Sequence, residues 1–268
     1  MIMVELRKML RRRRTWVTIA LLDALPTLVA VLLATTNLGP QPGTGPAFLS
    51  AVLSNGNLFP AAALAIVLPL FLPVAVAVVA GDAVAGEAQA GTLRYLLIRP
   101  VGRTRLLVAK LVSVVAFTLI AVVVVAVTAY FVGTHLFGSA PLPTVSGGPT
   151  LSPAQATLRT GLAILYVGLS MLGVAAVALL LSTFVDSPLA ATLGALAVLI
   201  ASTVLLTLDA AHALNPYLPT RYWLAFVDLF RQPILWRDLV RGVALQVVYV
   251  GVLLLAAWAN FTTKDVTS

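Results

Sequence analysis

The chain has 268 residues, of which 60% are apolar and only 10% are charged. A soluble domain carries roughly 25% charged residues, so this composition indicates a protein embedded in a lipid bilayer and excludes a large soluble catalytic domain. One transmembrane helix needs about 20 apolar residues, which allows about six or seven spans. The chain has no cysteine, which excludes disulfides, thiolate metal sites and cysteine nucleophiles.

The N-terminal segment, residues 1–14, is basic, which indicates that this end stays in the cytoplasm. It carries four consecutive arginines, Arg11 to Arg14, and is followed by an apolar first span at about residues 15–34. A basic flank and an apolar stretch are also typical of a signal peptide. The stretch contains Asp23 and Pro26, and no small-x-small cleavage site follows it, so we favour a span that remains in the protein.

The second span is predicted at about residues 58–80, after an uncharged loop rich in glycine, proline, asparagine and serine. Pro69 and Pro73 lie one helical turn apart within it, and each removes a backbone hydrogen bond. The sequence therefore predicts a helix that is kinked or locally opened. Residues 81–110 are polar and basic, which indicates a cytoplasmic segment.

The rest of the chain predicts four more spans and one amphipathic segment. Residues 185–188 are a link short enough to indicate an antiparallel hairpin, and residues 209–241 mix aromatic residues with arginines, which favours an interfacial or re-entrant segment on the outer side. The remaining spans are predicted at about residues 111–132, 160–184, 187–208 and 242–260.

Six spans place both termini on one side of the membrane, and the basic residues indicate which side. Twelve of the 17 lysines and arginines fall in the segments predicted to be cytoplasmic, as the positive-inside rule requires. Four of the other five lie in residues 209–241, which would move inside if the hairpin near Asp186 were re-entrant rather than crossing. We predict a multi-pass protein of the cell membrane with both termini in the cytoplasm.

Motifs for catalysis are absent from the sequence. It has no GxxxxGK[ST] loop for holding ATP phosphates and no HExxH metalloprotease motif, and its two histidines are not grouped with acids as a metal site requires. We therefore predict no catalytic residue, no metal site and no cofactor bound by this chain. Asp23 lies inside a span, where an ionisable group is costly; it is interpreted as a pathway-lining, helix-pairing or buried structural residue, with a catalytic acid as a further alternative.

The segment 81–110 carries the most specific pattern. Glu87 and Arg94 are seven residues apart, which would place them on one face of a helix beside a leucine stripe. Pro100 would end that helix, and Thr104 is a candidate N-cap for a second, basic helix. The pattern favours a charged elbow that packs against a soluble partner, although a loop that only fixes topology through its arginines is the alternative.

A family resemblance rests on this elbow. Its motif consists of Gly86-Glu87, Gly91-Thr92-Leu93, Leu96-Leu97, Pro100-Val101, Arg103, Leu106-Leu107 and Lys110. The motif resembles that of ABC-2-type permeases, the membrane subunits of ATP-binding-cassette exporters, in their six-span bacterial branch. The basic amphipathic start and the Asn215-Pro216-Tyr217 segment extend the resemblance over the whole chain.

The resemblance implies an all-α polytopic fold with an N-terminal helix on the cytoplasmic surface. It implies that the elbow is a coupling helix docked into a groove on a cytoplasmic ATPase subunit, which binds ATP and Mg²⁺. It implies a second permease copy, identical or related, and export as the direction of transport; no nucleic acid is expected. Cargo stays open.

The resemblance also implies site residues. Contacts with the ATPase subunit are expected at Glu87, Gly91, Thr92, Leu93, Arg94, Leu97, Arg103 and Arg105. For the last two, anchoring to lipid phosphates is an equal alternative. The pathway between two permease copies is expected to involve Asp23, Pro26, Pro69, Pro73, Ser202 and Thr203, each of which could instead serve helix packing or a kink.

A competing hypothesis is an ATP-independent membrane protein. A lipid-modifying enzyme would be expected to group acids, histidines or serines at one membrane face, and the sequence shows no such group. An integral accessory or assembly factor stays open as the alternative to the permease.

Overall fold

The computed structural model describes residues 1–36, 56–91, 102–138 and 151–263. Within these ranges the chain forms α-helices and 3-10 helices and no β strand, which confirms the predicted all-α class. The α-helices are α1 (Ile2–Arg11), α2 (Arg13–Thr35), α3 (Phe59–Val67), α4 (Phe71–Gln89), α5 (Arg103–Phe137), α6 (Pro153–Phe184), α7 (Pro188–Thr207) and α8 (Trp236–Thr263).

Six of these helices, α2 and α4 to α8, are long and apolar enough to cross a membrane, which makes this a multi-pass membrane protein. The helices cross alternately, so both ends of the described chain lie at the same end of the bundle. There Arg103, the first residue of α5, donates a hydrogen bond to the carbonyl of Thr262 near the end of α8 (3.0 Å). This end, which also holds α1, is called the basic end, and the opposite one the distal end.

The second predicted span is divided in two. Helix α3 ends at Val67 and α4 begins at Phe71, so the predicted local opening lies at Pro69. Pro73 is the third residue of α4, in the first turn, where a missing N–H costs little. Helix α4 continues to Gln89, well past the predicted limit at residue 80.

Helix α5 has 35 residues, equivalent to about 52 Å at the usual rise, and so exceeds the hydrocarbon core of a bilayer. At the distal end it touches the 3-10 helix Gly56–Leu58 backbone to backbone. A Cβ atom on Gly133 would lie 2.5 Å from the carbonyl oxygen of Gly56, so only glycine allows this approach.

The start of α5 corrects one prediction. Gly102 is its N-cap, two residues before the expected cap at Thr104. The Thr104 hydroxyl instead accepts a hydrogen bond from the indole nitrogen of Trp258 in α8 (2.9 Å). Packing between α5 and α8 therefore engages the side chain that the local sequence suggested for capping.

The predicted hairpin joins α6 to α7. Ser187 caps α7, accepting a hydrogen bond from the Ala190 N–H (3.4 Å). Helix α6 begins at Pro153, earlier than the predicted residue 160, because Ser152 and Gln155 form a reciprocal capping box. Both helices are long enough to cross a membrane, which agrees with a crossing hairpin rather than a re-entrant one.

The amphipathic segment after α7 forms two 3-10 helices, Asp209–Tyr217 and Trp223–Phe230. Phe226 and Phe230 are fully buried, and the second of the two helices packs against α6 and α8. Helix α8 then begins at Trp236, six residues before the predicted start of the last span.

Candidate functional site

Charged side chains from three helices meet at the basic end. Two come from α1, one from the residue that follows it, two from α4 and one from α5. We call this group the ion-pair cluster; its members are Glu5, Lys8, Arg12, Asp82, Glu87 and Lys110.

Lys110 and Glu87 are the centre of the cluster. The Lys110 Nζ atom lies 2.7 Å from Glu87 Oε1, and their side chains are only 3% and 8% exposed. Lys8 Nζ lies 2.9 Å from the same oxygen, and Glu5 Oε2 lies 3.7 Å from Lys110 Nζ. Two amines thus balance two carboxylates, as burial of charge requires.

Helix α1 reaches the cluster because it is amphipathic. Glu5 and Lys8 are one turn apart, while Met9 is buried and Leu6 packs against the apolar core. The Thr15 hydroxyl donates to the Met9 carbonyl (2.7 Å) and so fixes the corner between α1 and α2. The helix is held against the bundle with Glu5 and Lys8 directed at α4 and α5.

Arg12 and Asp82 form a second, more exposed pair. Arg12 Nη1 lies 2.7 Å from Asp82 Oδ2, with side chains 45% and 23% exposed. Gly86 lies beside it, and a Cβ atom there would lie 2.4 Å from Asp82 Oδ1, so a larger residue would displace the Asp82 carboxylate. This contact gives a physical reason for the glycine in the Gly86-Glu87 motif.

A cavity of about 350 Å³ adjoins the cluster, and its lining comes from α1, α2, α4 and α5. Lys8, Glu87 and Lys110 contribute charge, and Thr18 and Ser113 contribute hydroxyl groups. Such a polar space is large enough for several water molecules. Side-chain ion pairs therefore carry much of the contact between α1 and the ends of α4 and α5.

Ser182 of α6 forms a bridge within the backbone of α4. Its Oγ donates to the Gly81 carbonyl (2.7 Å) and accepts from the N–H groups of Val84 (3.1 Å) and Ala85 (2.9 Å). A side chain inserted into a helical hydrogen-bond ladder is a recognised cause of bending. Sequence reasoning missed this contact.

The predicted elbow helix does not start as expected. Helix α4 ends at Gln89, and Gly91 has φ of +66°, a left-handed conformation that ends helices and favours glycine. Helix α4 therefore does not continue through Gly91, and the prediction of one helix that runs on from Glu87 is wrong. Four of the predicted contact residues lie outside the described residues: Thr92, Leu93, Arg94 and Leu97.

The other predicted contact residues differ in their surroundings. Gly91 and Arg105 are exposed. Arg103 donates to the carbonyls of Phe261 (3.3 Å) and Thr262 (3.0 Å), where a cation complements the C-terminal end of α8. Glu87 is engaged within the ion-pair cluster, so its side chain is directed into the chain.

The predicted pathway residues Asp23 and Pro26 lie on α2, which packs mainly against α5. Asp23 is half-buried, and its side chain lies near Thr128 of α5. Pro26 is buried in the same interface region. Pro69 is exposed at the break before α4.

Ser202 and Thr203 lie on α7, which packs against α4 and α6. Ser202 Oγ is 2.8 Å from the Thr220 hydroxyl, and the Thr203 hydroxyl donates to the Leu199 carbonyl (2.9 Å). Pro73 is buried in α4. The predicted pathway residues thus belong to different helix pairs within one chain, and a route between two copies stays a prediction.

Arg159 is the fifth basic residue outside the predicted cytoplasmic segments, and sequence reasoning gave it no structural role. It is 8% exposed and donates to the carbonyls of Leu229 (2.9 Å) and Arg231 (3.0 Å). It therefore satisfies the end of the 3-10 helix Trp223–Phe230. The available signal was a single arginine in an apolar helix, where a charge is costly unless it has partners.

In the described ranges, no three His, Asp or Glu side chains come together as a metal site would require.

Among known families, the sequence model of DUF2705, described as a protein of unknown function, matches residues 27–267. No curated protein matches the chain. The matched range includes the parts of the ion-pair cluster on α4 and α5 and begins within α2, after α1.

Proposed function

The chain belongs to the DUF2705 family, and we propose that it is the permease subunit of an ATP-driven exporter, working with a separate ATPase subunit that binds ATP and Mg²⁺. The observation that carries the proposal is the ion-pair cluster. It joins the surface helix α1 to α4 and α5, the two helices that flank the elbow whose motif resembles that of ABC-2-type permeases.

The cluster provides a route for force from the elbow into the membrane. Residues 92–101 connect α4 to α5, and Glu87 and Lys110 join those two helices by a 2.7 Å ion pair. A partner that displaces the elbow would therefore move both helix ends together. Rigid elements that shift as units are a common means of coupling.

Residues of the elbow region divide into two roles under this proposal. Gly91 and Arg105 are exposed on either side of residues 92–101, the central part of the elbow, and are available for direct contact with the ATPase subunit. Glu87 and Arg103 make contacts inside the chain, so they are positioning residues. The proposal thus places direct contact at the elbow itself and its two margins.

Ser182 supplies a hinge for the same movement. It exchanges hydrogen bonds with Gly81 and Ala85 just before the charged end of α4. Because a hydroxyl can replace a helical hydrogen bond without leaving polar groups unpaired, α4 can bend here at low cost. The bend would be transmitted to α6, which carries Ser182.

The transport pathway would form between two copies of the chain. Helices α2, α7 and α8 leave most of their surfaces uncovered by the rest of the chain. Such apolar surfaces contact lipid or a second copy. Helices α2, α4 and α7 contain the predicted pathway residues other than Pro69, which lies at the break before α4.

Stoichiometric purification tests the proposal. The tagged chain is solubilised gently from its native membrane, and its partners are identified by mass spectrometry. We expect a nucleotide-binding subunit at one copy per chain, with ATP hydrolysis that falls in a Lys110→Met variant and not in an Arg237→Gln control at the distal end. Reproducible absence of such a subunit from intact, folded protein would contradict the proposal and favour an ATP-independent accessory factor.

A further inference from the structure

The start of α2 forms a second polar cavity, separate in chemistry from the ion-pair cluster. We propose that it binds the phosphate group of an anionic phospholipid from the surrounding membrane. The cavity has a volume of about 520 Å³ and is called the arginine cavity. It is lined by Arg12, Arg13, Arg14, Asp82, Gly86, Gln89 and Ala90.

The charge around the arginine cavity is strongly positive. Residues 1–14 contain six basic side chains and one acidic side chain. Lys8 and Arg12 are paired with carboxylates of α4. The remaining arginines are exposed and have no carboxylate partner among the residues that the structure describes: Arg7, Arg11, Arg13 and Arg14.

Inside the cavity, one carboxylate is already neutralised. Asp82 is paired with Arg12 at 2.7 Å, so Arg13 and Arg14 give the cavity a net positive charge. Guanidinium groups match the geometry of phosphate oxygens. The site therefore favours an anion with several acceptor oxygens.

The backbone adds to this preference. Helix α2 begins at Arg13, and its N-cap, Arg12, makes no side-chain capping bond. The first turn of a helix has N–H groups without an intrahelical acceptor, and its dipole favours an anion. Two arginine side chains and the start of α2 thus favour the same ligand charge.

The position of the site relative to the membrane boundary favours a lipid phosphate over a soluble anion. Outward-facing apolar side chains begin directly after the arginines: Trp16 is 50%, Val17 57% and Leu21 68% exposed. Such residues belong in the membrane, and an indole is typical of its interface. With a rise of about 1.5 Å per residue, Arg13 lies within about 5 Å of this boundary, at the level of lipid phosphates.

The neighbouring helix supports the same placement. Met3 and Leu10 of α1 are seven residues apart, share one face and are exposed. An exposed apolar face beside a basic one is typical of a helix that lies in the membrane interface. Arg12 belongs to both the arginine cavity and the ion-pair cluster, so a bound headgroup would stabilise the corner from which α1 reaches α4.

Lipid association measured by native mass spectrometry tests the site. The purified full chain is exchanged into nanodiscs of phosphatidylcholine containing increasing phosphatidylglycerol with identical acyl chains. Removing two arginine charges, in R13Q/R14Q, should lower the association constant for phosphatidylglycerol roughly 30-fold. The charge-preserving R13K/R14K should retain it within a few-fold, which would attribute the loss in R13Q/R14Q to the removed charge.

Matched controls separate a phosphate site at the start of α2 from a general effect of basic charge. R237Q/R241Q removes two exposed arginine charges at the distal end and should leave the association constant unchanged. An equal loss in that variant, or no loss in R13Q/R14Q, would overturn the proposal. Two further results would overturn it. In the first, millimolar inorganic phosphate competes for the site as well as the lipid does. In the second, R13Q/R14Q loses an ATPase subunit but keeps its selectivity for phosphatidylglycerol.

Discussion

The ion-pair cluster and the distal end of the bundle are held together by different interactions. In the cluster, α1 meets α4 and α5 through pairs of charged side chains, with Glu87 and Lys110 at the centre, although elsewhere at the basic end Arg103 donates to a backbone carbonyl. At the distal end, side chains donate to backbone carbonyls: Arg159 to Leu229, and the Tyr166 hydroxyl to Tyr222 (2.7 Å). The distal contacts also surround fully buried aromatic rings.

The difference in contacts affects which end of the bundle can rearrange. A backbone carbonyl has a fixed place in its element, so the distal contacts specify one arrangement. In the ion-pair cluster, Lys8 and Lys110 share one oxygen of Glu87, and Lys110 is also 3.7 Å from Glu5. We infer that the basic end can exchange partners while the distal end stays fixed, as expected if coupling takes place at the basic end.

The largest expected effect comes from Lys110→Met. It leaves Glu87 and Glu5 buried with one amine fewer, and loss of one partner from a buried pair costs about 3–5 kcal/mol. Unfolding in detergent measures the loss. In the double variant Lys110→Met/Glu87→Leu, an apolar pair should recover part of it. A single-variant loss below about 0.5 kcal/mol, the scale of an ordinary surface change, would contradict the central role of this pair.

Arg159→Met should have the next largest effect, confined to the distal end. The substitution leaves the carbonyls of Leu229 and Arg231 without their donor, at a cost of about 2–3 kcal/mol. Amide hydrogen exchange should accelerate in the segment Trp223–Phe230 and not in α1. An equal acceleration of amide hydrogen exchange in α1 would mean that the stabilities of the two ends are not independent.

Ser182→Ala tests the proposed hinge. Removing its hydroxyl should change stability by only about 1 kcal/mol, since α4 can re-form its own hydrogen bonds, but should lower ATP hydrolysis by the complex. Ser170→Ala is the matched control, because that hydroxyl donates to Tyr166 within its own helix (3.0 Å). Equal ATP hydrolysis in the two variants would contradict the proposed role of Ser182 as a hinge.

The smallest effects compare two exposed ion pairs of similar geometry, Arg12 with Asp82 and Arg231 with Asp228 (2.9 Å). Arg12→Gln and Arg231→Gln should each cost about 0.2–1 kcal/mol, less at high salt. Only Arg12→Gln should also change coupled ATP hydrolysis. A change in ATP hydrolysis of the same size in Arg231→Gln would contradict a specific role of the basic end in coupling.

Local sequence patterns predicted the helices well and their limits poorly. Apolar length fixed the number of spans, but α6 begins at a capping box and α4 ends at a left-handed glycine. Both limits depend on a few polar or small residues outside the apolar run. Pro69 and Pro73 were informative because proline acts on its own backbone.

The ion-pair cluster could not be predicted in the same way. Glu87 and Lys8 are 79 positions apart, and no periodicity links α1 to α4. Sequence reasoning placed Glu87 on an outward face, whereas packing of α1 and α5 buries it. The Gly86-Glu87 motif located the right region, but the role of each residue depended on which helices meet there.

Site-specific photocrosslinking tests the proposed coupling at the basic end most directly. A photoreactive amino acid replaces Arg105, exposed beside the elbow, or Leu235, 47% exposed at the distal end. We predict a covalent adduct with the nucleotide-binding subunit from position 105, changed in yield by ATP, and none from position 235. Adducts from position 235 alone, or none from position 105 while that subunit co-purifies, would contradict coupling through the basic end.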